Sequence, residues 1–143
     1  MSPMSQSIHL YNQLAKNFSR KINFDLKRIK HALSKLGHPE NQLRNVINII
    51  GSDGKYSLLT SLKYFLQANN YSVSTYISPS IKDIRERFFL GDKHLSYNDI
   101  KKSMRIIKNT DTKLTVFEAL TLIFIINAAK SNSDFNLSLI HIS

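Results

Sequence analysis

Val46-Ile47-Asn48-Ile49-Ile50-Gly51-Ser52-Asp53-Gly54-Lys55-Tyr56-Ser57 is the stretch that decides how this chain folds. Its first five residues are a mostly β-branched run with the length of a buried strand. Gly51 to Gly54 then reads as a turn, because glycine adopts the positive φ that tight reversals need. From Tyr56 to Asn69 the apolar spacing becomes helical, with Leu58, Leu59, Leu62, Phe65 and Leu66 on the face expected to point inward. Tyr71 to Ile77 reads as a second strand and stops at Ser78-Pro79. Strand, glycine turn, helix and strand in this order make a βαβ unit, so a parallel pair with a right-handed crossover is expected.

On the N-terminal side, residues 7–19 carry Ile8, Tyr11, Leu14, Ala15 and Phe18 at helical spacing. A second helix fits 25–36 through Ile29, Leu33 and Leu36, with Asn23 or Asp25 to cap its start and Gly37 its end. On the C-terminal side, Arg87–Leu90 and Lys93–Leu95 flank Gly91-Asp92 as a hairpin. Ser96-x-x-Asp99 opens a helix carrying Ile100, Met104 and Ile107. Thr115-x-x-Glu118 opens another, so apolar as far as Ala129 that it must be buried nearly all round. Phe135 to Ile142 alternates like a strand. The pattern is a single α/β unit without repeats or linkers, and it reads as unfinished.

Bulk composition narrows the chemistry. The length of 143 residues suits one domain, and 42% hydrophobic with 21% charged residues is a globular composition. The absence of cysteine excludes a disulfide scaffold, a thiolate zinc site and a cysteine nucleophile. Leu122–Ile126 is far shorter than the roughly 20 residues of a membrane span, and Met1–Ser7 has neither the basic start nor the apolar core of a signal peptide. A cytoplasmic protein with no membrane partner is therefore expected. The net charge is +10, of which +6 falls in residues 1–45, a field that attracts polyanions. Lys27, Arg28, Lys30 and Lys35 are spread along one amphipathic segment, and such a spread also suits a solvated helix face. The histidines form no pair at metal-ligand spacing and there is no G-x-S-x-G, so hydrolase chemistry finds no support.

The loop itself has chemical meaning. Backbone N–H groups at a strand-to-helix turn, with the positive end of the following helix, form an anion site. Lys55 would add a full charge beside phosphates, and Ser57 an oxygen for Mg²⁺. The pattern G-x-x-x-x-G-K-[ST] is only partly met, because Ile49 stands where the first glycine belongs and Tyr56 follows the lysine. An ordinary glycine turn with a surface lysine stays open. Ser78-Pro79 lies where ligands bind in open α/β sheets, outside the carboxyl ends of the strands, though Ser-Pro is also a common turn. Glu118 has a plain role as the third helical residue of a capping box, contributing about 1 kcal/mol.

Taken together, Tyr11-Asn12, Leu26-x-Arg28-Ile29, Leu36-Gly37-x-Pro39, Ile50–Ser57, Tyr76–Pro79, Glu86-Arg87 and Leu114–Glu118 fall in an order and spacing that resembles the N-terminal part of folylpolyglutamate synthase/dihydrofolate synthase, of the Mur ligase superfamily. The resemblance runs from about Tyr11 to Lys130. It implies a three-layer α/β fold, the P-loop-type βαβ start of a Mur-ligase central domain that binds ATP, incomplete over residues 1–143. It implies an ATP- and Mg²⁺-dependent amide ligase that joins L-glutamate to dihydropteroate or a folate, monomeric at full length and with no nucleic-acid partner. The family loop Gly-Thr-Asn-Gly-Lys-Gly-Ser maps onto Gly51, Ser52, Asp53, Gly54, Lys55, Tyr56 and Ser57 as the ATP-binding residues, with Lys55 catalytic. Tyr56 replaces a glycine that lets backbone and phosphate approach closely. Ser78 and Ser57 stand as the metal ligands, while a family histidine is replaced by Ser80. Pterin contacts are implied at Lys21, Ile22 and Asn23, where an aspartate is more usual at Asn23, and at Thr115, Val116, Phe117 and Glu118.

Two other readings belong beside this one. The first is a small basic nucleic-acid-binding module docking through helix 25–36. It would want exposed aromatic side chains beside the charge, whereas Phe65 and Phe117 are expected to face inward. The second is a ligase homologue inactivated by Tyr56 and Ser80. The later metal ligands and the C-terminal glutamate-binding domain of the family have no counterpart here, so a fragment without turnover is expected. Leu137–Ser143 carries no acidic residue where the family strand ends in one, and it looks like translated sequencing adapter. It is expected to be non-native and to fill a gap at the sheet edge near the first strand.

Overall fold

Three hydroxyl side chains set where helices begin. Ser2, Ser96 and Thr115 accept the backbone N–H of Ser5, Asp99 and Glu118 at 3.2, 3.1 and 3.1 Å, which satisfies N–H groups the first helical turn leaves open. A computed structural model describes residues 2–21, 25–80 and 82–140. Its helices are α1 Pro3–Asn17, α2 Lys27–Lys35, α3 Lys55–Ala68, α4 Tyr97–Lys108 and α5 Val116–Ser131. Its strands are β1 Val46–Asn48, β2 Val73–Tyr76, β3 Phe88–Leu90, β4 Lys93–His94 and β5 Phe135–Ser138.

The strands form one mixed sheet in the order β1-β5-β2-β3-β4. β5 runs parallel to both β1 and β2, and β2-β3 and β3-β4 are antiparallel. Two expectations are corrected here. The strands of the βαβ unit are not neighbours, because β5 lies between them with Leu137 facing Ile47 on one side and Thr75 on the other. β5 is accordingly an interior strand, not an edge, with Asn136, Leu137 and Ser138 buried. The expected strand 46–50 also ends early, at Asn48, and Ile50 is exposed.

Helices cover both faces, giving the three layers expected. On one face α3 packs Leu59 and Leu66 against Ile49, Val73 and Leu137. The larger core lies on the other face, where α1, α2, α4 and α5 surround Tyr76, Phe88 and Phe124, whose rings stack at centroid distances of 5.7 and 5.0 Å. α5 is its axis: every residue from Glu118 to Ala128 is buried, as its almost entirely apolar composition requires. Asn127 survives there by donating to Ser103 Oγ and the Ile123 carbonyl, both at 2.7 Å, which offsets the cost of burying an amide.

The inward set on α3 is corrected as well. Leu59 and Leu66 are buried, but Leu58 and Phe65 are exposed, Phe65 by 65%. The same holds for Phe117, exposed by 51%, and for Ile8 on α1, whose buried residues are Ser7, Leu10 and Leu14. α3 touches the sheet along a narrow stripe, so only one apolar residue per turn goes under. Asp25 does accept the Lys27 N–H at 3.0 Å before α2, although Leu26 occupies the cap position itself. Asn23, the other cap candidate, lies outside the described residues. Gly37 ends that helix at φ +79°, which an L side chain adopts only with strain.

Candidate functional site

The parallel strands β1, β5 and β2 all direct their carboxyl ends to the same edge of the sheet. This shared direction gathers three segments there: the glycine loop after β1, Ser78-Pro79 after β2, and Ile140 after β5. β1 and β2 sit two strand spacings apart, about 10 Å. This edge is where open α/β sheets bind ligands.

A cavity of about 920 Å³ opens beside it, a size suited to a small organic ligand. One wall comes from α1 with Tyr11, Asn12 and Ala15, and another from the start of α5 with Thr115, Val116, Phe117 and Glu118. Ser19 to Lys21 closes a side, held by backbone hydrogen bonds from Ser19 N–H to the Leu114 carbonyl and from Val116 N–H to the Ser19 carbonyl, at 3.0 and 2.8 Å. Ser78 and Arg87 complete the end nearest the sheet. Most of this surface is apolar, and its charged groups stand at defined points. Lys21, Ser78 and Thr115–Glu118, expected as pterin and metal contacts, thus line one chamber. Ile22 and Asn23 lie outside the described residues.

Within the chamber Glu118 is committed to structure. Its Oε1 accepts the Thr115 N–H at 2.9 Å, completing the capping box, and takes Arg28 Nε and Nη2 at 3.2 and 3.0 Å. Phe117, beside it, is exposed and presents its ring to the opening. Ser78 Oγ accepts from Arg87 Nη1 at 2.8 Å, and Arg87 Nε donates to the Tyr11 hydroxyl at 2.9 Å. The Tyr11 hydroxyl is also hydrogen-bonded to Ser80. Beneath the site, burial pushes the Tyr76 phenol far above its usual range, with Thr121 as its hydrogen-bond partner. Tyr76 is a neutral core residue. Arg87 and Tyr11 are residues that sequence reasoning left without a role, and Arg28 was placed only on a basic helix face; the motifs Tyr11-Asn12, Leu26-x-Arg28 and Glu86-Arg87 were the available signal.

The glycine loop does not line the chamber. Gly51 through Gly54 are exposed and lead straight into α3 at Lys55. Gly51 and Gly54 have φ of +142° and +72°, the region that favours glycine. A β-carbon on Gly51 would stand 3.9 Å from Lys55 Cγ, so the lysine stem folds back across the loop. Tyr56 and Ser57 are exposed in the first turn of α3. Open N–H groups at the start of a 14-residue helix with a lysine beside them suit a phosphate chain. The hydroxyls of Ser57 and Ser78 are hard oxygen donors of the kind Mg²⁺ takes. Among the described residues no group of three His, Cys, Asp or Glu could hold a metal, and two hydroxyls would leave most of the six positions of Mg²⁺ to other oxygens. Among the described residues, too, no helix is long and apolar enough to cross a membrane.

No protein-family model matches the chain. It is similar to the dihydrofolate synthetase of Saccharomyces cerevisiae, with 32% identity over 104 residues, covering 70% of this chain and 24% of that protein. It superposes on the E. coli FolC structure in complex with DHPP and ADP with a TM-score of 0.83 and 25% identity, over 96% of this chain and 33% of that one. A Yersinia pestis bifunctional folylpolyglutamate synthase/dihydrofolate synthase complexed with AMPPNP and Mn ion gives a TM-score of 0.82 at 24% identity, over 96% and 34%, a likeness of fold. The chain spans about a quarter of the length of the curated relatives it matches and about a third of these solved structures. Shared sequence over most of the chain, on a shared mixed-sheet fold, makes it a homologue of the dihydrofolate synthases and folylpolyglutamate synthases.

Proposed function

We infer that this chain is part of the ATP-binding domain of an ATP- and Mg²⁺-dependent amide ligase that joins L-glutamate to dihydropteroate or a folate. The observation that carries the reading is the chamber itself. It sets Lys21, Ser78 and Thr115–Phe117 around a largely apolar space at the carboxyl edge of the parallel strands, next to a glycine loop that opens a helix. Relatives complexed with DHPP, ADP, AMPPNP and Mn support it.

In this reading the pterin body lies along the apolar walls between α1 and the start of α5, with Phe117 against its plane. Loop N–H groups from Gly51 to Tyr56 and the Lys55 ammonium hold the phosphates of ATP. The carboxylate of the pterin acid takes the terminal phosphoryl group of ATP as ADP leaves, and the amine of glutamate then displaces phosphate and loses a proton to give the amide. Such a transfer asks the protein mainly for positioning and charge neutralisation. Mg²⁺, when bound near Ser57 and Ser78, contributes further neutralisation of the phosphates. Lys21 and the exposed Arg20 add positive field at the mouth for an anionic substrate.

The nucleic-acid reading loses ground for a different reason from the one expected. Its requirement for an exposed aromatic beside the charge is met by Phe117, which lines the chamber with Leu26 and Ile29, while Phe65 is exposed on the opposite face of the sheet. However, the basic helix it invokes is partly consumed internally: Arg28 is paired with Glu118, and Lys35 donates to the Thr110 carbonyl at 2.6 Å. Calorimetric titration of the 143-residue chain with MgADP, alone and after Lys55→Ala, tests the ligase reading. Binding that disappears with the lysine is expected; equal affinity in the two proteins would return the loop to an ordinary turn.

A further inference from the structure

Arg87 has two properties that phosphate binding at the loop does not use. First, its guanidinium is aimed. Nε donates to the Tyr11 hydroxyl at 2.9 Å and Nη1 to the Ser78 hydroxyl at 2.8 Å, while its own carbonyl accepts the Ile77 N–H at 3.1 Å and extends the β2-β3 pairing. The Tyr11 hydroxyl is anchored in turn by Ser80. Second, among the described residues its charge has no ionic partner, although the Tyr11 ring centroid lies 5.8 Å from the guanidinium carbon. Arg28, Arg44 and Arg85 face Glu118, Asp134 and Asp83, but among the described residues no carboxylate pairs with Arg87. Both of its partners are neutral hydroxyls.

These two properties meet in the chamber, whose wall Arg87 forms. A half-buried guanidinium beside apolar surface is costly unless an anion joins it. Two of its five N–H groups are occupied, and the remaining planar edge matches a carboxylate, two parallel hydrogen bonds at a time. Arg20 and Lys21, also at the chamber, are exposed and hydrated, so they have less need of a counter-ion.

We propose that Arg87 binds the carboxylate of an aromatic acid in this chamber, with Tyr11 and Ser78 as the positioning residues that hold its guanidinium. For the identity of the aromatic body the proposal rests on the pterin-acid reading above; for the carboxylate it rests on Arg87 alone. The fixed orientation makes the site selective for acids over their neutral derivatives, because an ester offers no charge to a half-buried cation without an ionic partner.

The test uses the ¹⁵N-labelled 143-residue chain and the side-chain Nε–H resonance of Arg87, assigned by its loss in Arg87→Lys. Three probes are titrated: pteroic acid, its methyl ester, and p-aminobenzoate. Both acids are expected to shift the Arg87 resonance, with the ester binding ~10- to 100-fold more weakly than pteroic acid, as for loss of a charged hydrogen-bonded pair. Arg87→Gln should abolish the acid-over-ester preference. Tyr11→Phe, which keeps the guanidinium but frees its Nε, should narrow it, and this variant carries the comparison if Arg87→Gln does not fold. Equal affinity for acid and ester in the parent protein overturns the proposal and leaves the pterin reading standing. Binding of p-aminobenzoate through Arg87 with none of pteroic acid upholds the proposal and removes the pterin reading. No carboxylate-dependent binding of any probe overturns it.

Discussion

Replacing Glu118 by alanine separates a structural carboxylate from a ligand contact. Oε1 of Glu118 accepts three hydrogen bonds, from the Thr115 N–H and from Nε and Nη2 of Arg28. Truncation strands the Thr115 amide, which is buried at the start of α5, at a cost of about 1–2 kcal/mol. It also removes the partner of Arg28. That side chain is 26% exposed against 8% for Glu118, so water takes over much of the guanidinium and the lost pair contributes only about 1 kcal/mol. The sum, about 2–3 kcal/mol, corresponds to a fall in melting temperature of about 6–10 °C for a domain of this size. Glu118→Gln keeps an oxygen for the Thr115 N–H and should lose about half as much. The assay is thermal unfolding followed by circular dichroism, together with the cycle through Arg28→Ala, where a coupling of about 0.5–1 kcal/mol is expected. An alanine variant that melts within about 2 °C of the parent would refute the reasoning and show a carboxylate held in reserve for a ligand.

Other perturbations draw on the same geometry. Lys55→Ala should change stability by no more than about 0.5 kcal/mol, as for an exposed helix start, while nucleotide affinity falls; Tyr56→Gly should raise that affinity if the ring obstructs the loop, both measured by calorimetry with MgADP. Asp134 accepts the backbone N–H and hydroxyl of Ser72 at 2.8 and 3.0 Å, and these bonds hold its carboxyl below the usual range. A depressed folded value stabilises above the unfolded one, near pH 4, and that stabilisation is lost as pH falls through the folded value. Asp134→Asn should therefore flatten the acid limb of melting temperature against pH, and an unaltered limb would count against it. Phe65→Ser should leave stability within about 0.5 kcal/mol because the ring is exposed; a loss above 2 kcal/mol would show that it is packed. The isolated chain should release no ADP in response to glutamate, and measurable release would refute the reading of the chain as part of a larger site.

Much of the local structure was legible in the residues themselves. Thr115 and Glu118 announce their capping box because both halves of it lie within one helical turn. Gly91-Asp92 marks its hairpin, and the even apolarity of α5 already required a helix enclosed by others. The strand, glycine loop and helix from Val46 onward gave the site its edge of the sheet, since that order depends only on neighbouring residues. The resemblance in motif order was legible for the same reason, being a property of spacing along the chain. What remained hidden depends on which distant segments meet. Nothing within Val46–Ile77 indicates that Phe135–Ser138 will lie between the two strands, because strand order is fixed by pairing energies summed over the whole sheet. Phe65 and Leu58 sit at helical spacing and are nevertheless exposed, because α3 meets the sheet along a stripe narrower than its apolar face. Arg28 meets Glu118 across 90 residues, and Arg87 meets Tyr11 across 76. Sequence determined which residues carry charge; only the tertiary structure decided that the first cation is neutralised by a buried carboxylate while the second is left facing a cavity, because compensation depends on distance in space.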